Sequence, residues 1–121
     1  MHLFNLKQKV ANMDIKLKIN DVKNHKCEYD ITGEISVQNV SAIMAEFAKT
    51  LPDCTDLTIN LRKTDGFDTA AFQMFYSIKN SFVRDKKQLK VTCELSDETT
   101  TLLSHCGINN LAEVLSIPSA A

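Results

Sequence analysis

Hydrophobic positions change period partway along the chain. Leu57, Ile59 and Leu61 alternate with Thr58, Asn60 and Arg62, the pattern of a half-buried strand. Ala71, Phe75, Ile78 and Phe82 then recur at spacings of four, three and four, which is one face of a helix. Gly66 stands between them as the residue for a sharp turn. Asp68 occupies the N-cap position, from which its carboxylate accepts the backbone N–H of Ala70 or Ala71, and Thr69 falls in the first helical turn. The competing reading of Asp65-Gly66 as a hairpin turn fails, because the residues after it have a helical period and no alternation. In α/β sheets, strand ends of this kind are where sites are placed.

The remaining elements come from the same two periods. Ile15, Leu17 and Ile19 alternate with Lys16, Lys18 and Asn20, and Cys27, Tyr29 and Ile31 with Glu28, Asp30 and Thr32. These predict two strands joined as a hairpin through the polar turn 21–26, with Gly33 ending or bulging the second. Ser36 is the expected cap of a helix whose apolar stripe is Val40, Ile43, Met44, Phe47 and Leu51. Glu46 and Lys49 are expected on its wet side, and Pro52 as its stop. After the 57–82 unit, with Arg84, Lys86 and Lys87 complementing the helix dipole, Leu89, Val91 and Cys93 predict another strand. Ser96 caps a short helix with Asp97 and Glu98 in its first turn and Leu102, Leu103 and Cys106 on its inner face. Gly107 suits a left-handed C-cap that folds Ile108 back on Leu103. A last helix runs from Leu111 to Leu115, before Pro118 and a loose tail 119–121.

The expected architecture is α/β: a single domain with a mixed sheet of four to five strands and about four helices, an antiparallel hairpin leading into parallel crossovers. Residues 1–13 read as an N-terminal extension and 14–117 as the domain. In the extension, Leu3, Leu6 and Val10 share a helical face, while Leu3-Phe4 equally suits the start of an edge strand. With 121 residues, 44% hydrophobic and 24% charged, the chain has material for one real core. Its net charge of −1 argues against a nucleic-acid partner. No apolar run approaches the ~20 residues that span a bilayer, so membrane insertion is not expected. The N-terminus lacks the marks of a signal peptide, and the expected setting is the cytoplasm.

Candidate chemistry is sparse. His105 and Cys106 are neighbours on a helix and point about 100° apart, so they do not converge on a metal or a thiol reaction. The other cysteines (Cys27, Cys54, Cys93) and histidines (His2, His25) are scattered without ligand spacing, which predicts reduced thiols, no metal and no cofactor. Asp65 and Asp68 read as a turn residue and a cap before they read as an acid–base pair, so no catalytic residues are assigned. Lys16, Lys18, Lys23 and Lys26 suit a solvated sheet edge that resists aggregation. Thr69 differs: a hydroxyl at an accessible helix start can accept a phosphate of about −1.5 to −2 charges, which the dipole favours and Asp68 opposes.

Three segments stand in order: Ile31-Thr32-Gly33-Glu34-Ile35; Asn60-Leu61-Arg62 with Phe67-Asp68-Thr69-Ala70-Ala71-Phe72 after it; and Leu102-Leu103 with Gly107-Ile108 and Leu111. In this order they resemble the STAS domain, the family of anti-sigma-factor antagonists and of the cytoplasmic domains of sulfate transporters. The spacing from Asn60 to Asp68 fits the family pattern without a gap. The resemblance implies a non-catalytic regulatory domain in which Thr69 is phosphorylated by a serine-kinase-like anti-sigma factor that is also its binding partner. It implies a contact surface of Gly66, Phe67, Asp68, Thr69, Ala70, Phe72 and Gln73. The chain departs from the pattern at Ala71, where the family has glycine, and at Arg62-Lys63, which brings positive charge. The Asp-Thr-Ala order also resembles the small STAS subunit of phospholipid-transport ATP-binding-cassette complexes, whose loop contacts the transport ATPase. A STAS scaffold without phosphorylation is the third reading.

Overall fold

The helical cover of this protein lies on one side of its sheet. A computed structural model describes residues 7–10 and 12–118. The expectations for Leu3, Leu6 and the Leu3-Phe4 start, for His2, and for a loose tail 119–121 fall outside those residues. Five strands, β1 (Lys7–Val10), β2 (Met13–Asp21), β3 (Lys26–Gly33), β4 (Asp56–Thr64) and β5 (Gln88–Leu95), lie in the order β1-β2-β3-β4-β5. β1–β2 and β2–β3 are antiparallel; β3–β4 and β4–β5 are parallel. Helices α1 (Val40–Phe47) and α2 (Thr69–Arg84) form the crossovers, and α3 (Asp97–His105) and α4 (Leu111–Leu115) come after β5. Over the described residues the fold is a single α/β domain with a mixed sheet and four α-helices. Of the segment read as an extension, residues 7–10 are thus the sheet's first strand.

One face of the sheet carries Ile15, Leu17, Tyr29, Ile31, Leu57, Ile59, Leu61, Leu89 and Val91, all buried against Ile43, Phe47, Phe75, Ile78 and Phe82 of the helices. The opposite face is polar. At its centre Asn60 Nδ2 donates to Glu28 Oε2 (2.7 Å) and Asp30 Oδ1 (2.9 Å), while Thr92 Oγ1 donates to Asn60 Oδ1 (2.8 Å). Lys18 and Arg62 flank this row at 3.7 Å from Glu28 and 3.5 Å from Asp30.

Several elements differ from the pattern-based expectation. The register slips between Leu17 and Ile19, so the strict alternation of β2 fails at Lys18 and Ile19 is 46% exposed instead of inward. Ser36 does not cap α1. Its hydroxyl donates to Glu34 Oε2, and its carbonyl accepts the N–H groups of Asn39 and Val40, which starts the helix later. α1 ends at Phe47, before Pro52, which sits in a 3-10 turn (Leu51–Asp53). The shorter helix presents Ile43, Glu46 and Phe47 inward and leaves Met44 at the surface. Glu46, expected on the wet side, is only 4% exposed, with its carboxylate 3.4 Å from Lys49. In α3 the inner residues are Thr99 and Leu103, and both Leu102 and Cys106 are exposed. The end of α3 agrees with expectation: Gly107 takes φ +85°, and Ile108 N–H donates to the Leu103 carbonyl at 2.8 Å.

Candidate functional site

The C-terminal ends of β3 and β4, being parallel neighbours in register, bring the loops 34–39 and 65–68 together. The contact is a short continuation of the sheet. Ile35 N–H donates to the Gly66 carbonyl (2.8 Å), Asp68 N–H donates to the Ile35 carbonyl (3.3 Å), and Ile35 and Phe67 form a parallel bridge.

Asp68 completes the joint. Its backbone is extended, as an N-cap requires, and Oδ1 accepts Ala71 N–H at 2.9 Å, one of the two bonds expected from the sequence. Its other oxygen, Oδ2, accepts Val37 N–H at 2.9 Å. One carboxylate therefore caps α2 and fastens the loop after β3. Both oxygens are engaged by backbone N–H groups.

Gly66 does not make the turn through a left-handed backbone; Lys63, in the irregular end of β4, carries the positive φ of 49°. A glycine fits position 66 for a steric reason: a Cβ there would lie 3.0 Å from Glu34 Cγ. Phe67 turns toward the core and stacks on Phe75, 5.9 Å between centroids, which anchors the loop to the helix it precedes. Phe72 stacks on Tyr76 at 5.6 Å, and Ala70 is half-buried. Thr69 and Gln73 are exposed. The Thr69 hydroxyl has no hydrogen-bond partner among the described residues.

Sequence reasoning missed two parts of this surface. Val37, 66% exposed, stands beside the α2 start through the Asp68 bond. A shallow groove of about 690 Å³ also continues along α2 from Phe72 and Gln73 past Tyr76, Ser77 and Asn80 to Arg84. The stripe 73, 77, 80, 84 has helical spacing and was legible as a solvated face, but nothing in one sequence marks such a face as a contact. Arg62 belongs elsewhere: its pairing with Asp30 places it on the polar sheet face, away from the helices.

The surface offers hydrogen bonds, aromatic area and an exposed hydroxyl. Burial pushes the Cys27 thiol up to about 12, with Cys54 beside it adding to the effect, and pushes Cys93 up to about 11, so both are protonated at neutral pH. Among the described residues no three His, Cys, Asp or Glu side chains are grouped to hold a metal, and no helix is long and apolar enough to cross a membrane. In comparisons with known proteins, no family model matches the chain and no curated protein matches it.

Proposed function

We propose that the chain is a non-catalytic, cytoplasmic protein-interaction domain of the STAS type, whose partner contacts the loop and helix start from Gly66 to Gln73 and whose state is set by phosphorylation of Thr69. The observation that carries this reading is the division of labour at the α2 N-terminus. Among the described residues, Asp68 alone supplies the side-chain cap, and the neighbouring Thr69 hydroxyl is exposed and unbonded. A phosphate on Thr69 leaves the cap in place and changes the charge of the surface a partner meets. The adjacent N–H groups of the first turn accommodate the phosphate, while the Asp68 carboxylate opposes it.

The partner class that suits the resemblance is a serine-kinase-like anti-sigma factor that binds the unmodified form and is released by phosphorylation. One observation favours the alternative, a transport-ATPase subunit or a scaffold without phosphorylation: Asp68 already places a negative charge at this helix start, fixed to two loops. Phosphotransfer separates the two. The purified chain is incubated with ATP and a serine-kinase-like ATPase encoded beside it, and digested for mass spectrometry. Phosphate at Thr69, absent in Thr69→Ala, supports the switch. No incorporation, together with co-purification of a transport ATPase, supports the alternative.

A further inference from the structure

The outward side of the helical layer is short of charge. On α1 the exposed residues Ser41, Met44, Ala45 and Ala48 share one face, and none of them is charged. The one acid of this helix, Glu46, is turned inward at 4% exposed. Beside this face α2 presents Ser77 and Ser81, with Gln73 and Asn80 farther out. Among the described residues, charged side chains line the helix pair only at its far end, at Arg84, Asp85 and Lys87, where Arg84 and Asp85 pair at 3.3 Å. A solvated helix face normally carries charges, and this chain is 24% charged overall.

The face also has relief. Serine and alanine are short, so a furrow runs between the two helices. One part of it, of about 400 Å³, is walled by Phe47, Leu51, Pro52, Ile78 and Phe82. The other, of about 240 Å³, is walled by Val40, Ser41, Met44, Met74 and Ser77. Met44 and Ser77 border both. Met44 is 46% exposed, so its flexible thioether chain stands up beside an apolar hollow. A projection and a hollow next to each other on one surface meet the requirement of a contact between identical patches.

We infer that the outward face of α1 and α2 is a self-association surface, which takes a second copy of this chain with Met44 of each copy seated in the hollow of the other. Because Met44 is part of the hollow's wall, the two Met44 side chains meet near the two-fold axis. The uncharged centre selects the occupant: two copies bring no like charges together there, whereas a charged partner finds nothing to pair with. Size sets the strength. Helices of 8 and 16 residues are about 12 and 24 Å long and about 10 Å wide, a footprint of roughly 360 Å². That is about half of the ~800 Å² that each partner gives to a standard interface, so the dimer is weak and reversible. Thr69 takes no part in this contact, and the dimer and the phosphorylation switch stand or fall separately.

The test is sedimentation equilibrium of the full chain from micromolar to millimolar concentration, with a reductant present because the exposed Cys106 would otherwise cross-link copies. A monomer–dimer equilibrium is expected, unchanged in Thr69→Glu. Met44→Lys and Met44→Glu, each checked for an unchanged melting temperature in dilute solution, are expected to weaken it at least tenfold, since each sets like charges together at the axis. Mixing the two variants is expected to restore association to wild-type strength or better, because lysine then meets glutamate. A wild type that stays monomeric at every concentration overturns the proposal; if Met44→Lys then weakens binding of the serine-kinase-like ATPase, the face belongs to that partner. Dimers that survive both substitutions, or mixed variants that stay apart, overturn it as well, the first moving the contact off this face and the second removing Met44 from the axis.

Discussion

The Asp68 carboxylate receives the Val37 backbone N–H at 2.9 Å, so the residue that starts α2 also holds the loop leaving β3. Removing this side chain undoes two bonds. Asp68→Ala is expected to cost about 0.5–2 kcal/mol for the cap and about 0.5–1.5 kcal/mol more for the second bond. Asp68→Asn, with a single acceptor oxygen, falls between Ala and wild type. Urea denaturation gives the energies, and amide exchange gives the geometry. Both Val37 and Ala71 should exchange faster in the alanine variant; acceleration at Ala71 alone would contradict the shared role.

Thr64 ends β4 fully buried, and its hydroxyl has no hydrogen-bond partner among the described residues. An unsatisfied buried hydroxyl costs about 1–3 kcal/mol. Thr64→Val keeps the shape and removes the polar atom, so it is expected to raise the urea midpoint by an amount equivalent to about 1 kcal/mol. A clear drop in the midpoint would mean that the hydroxyl is satisfied in solution.

Two glycines separate conformational need from steric need. Gly33 has φ +98°, and a Cβ there would collide with the Asn12 carbonyl oxygen, which is backbone and cannot yield. Gly33→Ala should therefore cost about 2 kcal/mol or more. At Gly66 the obstacle is the Glu34 side chain, which can move, and Gly66→Ala should stay within about 1 kcal/mol. Thermal melts of the two variants check the order; the reverse order would refute the assignment.

Alkaline pH tests the buried polar pocket under α1. Tyr29 is fully buried, its hydroxyl 2.7 Å from Thr50 Oγ1, and burial pushes its pKa from 10.0 up to about 12. Between those values the unfolded chain releases a proton that the folded chain keeps, so stability is expected to fall as pH rises. Cys27 acts in the same direction from 9.0 to about 12. The tyrosine contributes at most about 1.4 kcal/mol per pH unit. Tyr29→Phe should flatten the decline between pH 10 and 12 in urea denaturation, whatever its cost at neutral pH. An unchanged slope would show that the tyrosine ionises as freely in the fold as outside it.

Most of the fold was legible because the two periods are strong. The alternation at 57–61 and the four-three-four spacing at 71–82 place β4 and α2, and Asp68 and Ser96 announce the caps that the structure contains. The failures share a cause. Ile19 is misplaced because the alternation was carried through a register shift, and Glu46 and Leu102 because the inward face of a short helix is set by the tertiary contacts it makes. The same applies at the site. The Asp68–Ala71 bond spans three residues and is written in the local pattern, whereas the Asp68–Val37 bond spans 31 and depends on β3 and β4 being neighbours. The polar row through Asn60 was invisible for that reason too: its members come from three strands.

The central claim is that the state of the Thr69 hydroxyl controls partner binding without altering the fold. The most direct measurement is the affinity of the wild type, Thr69→Ala and Thr69→Glu for the neighbouring serine-kinase-like ATPase, alongside their melting temperatures. A Thr69 switch predicts equal melting within about 0.5 kcal/mol of stability, equal binding of wild type and Thr69→Ala, and at least tenfold weaker binding of Thr69→Glu. Equal affinities with equal melting would contradict it and reduce Thr69 to one more exposed residue on the first turn of α2.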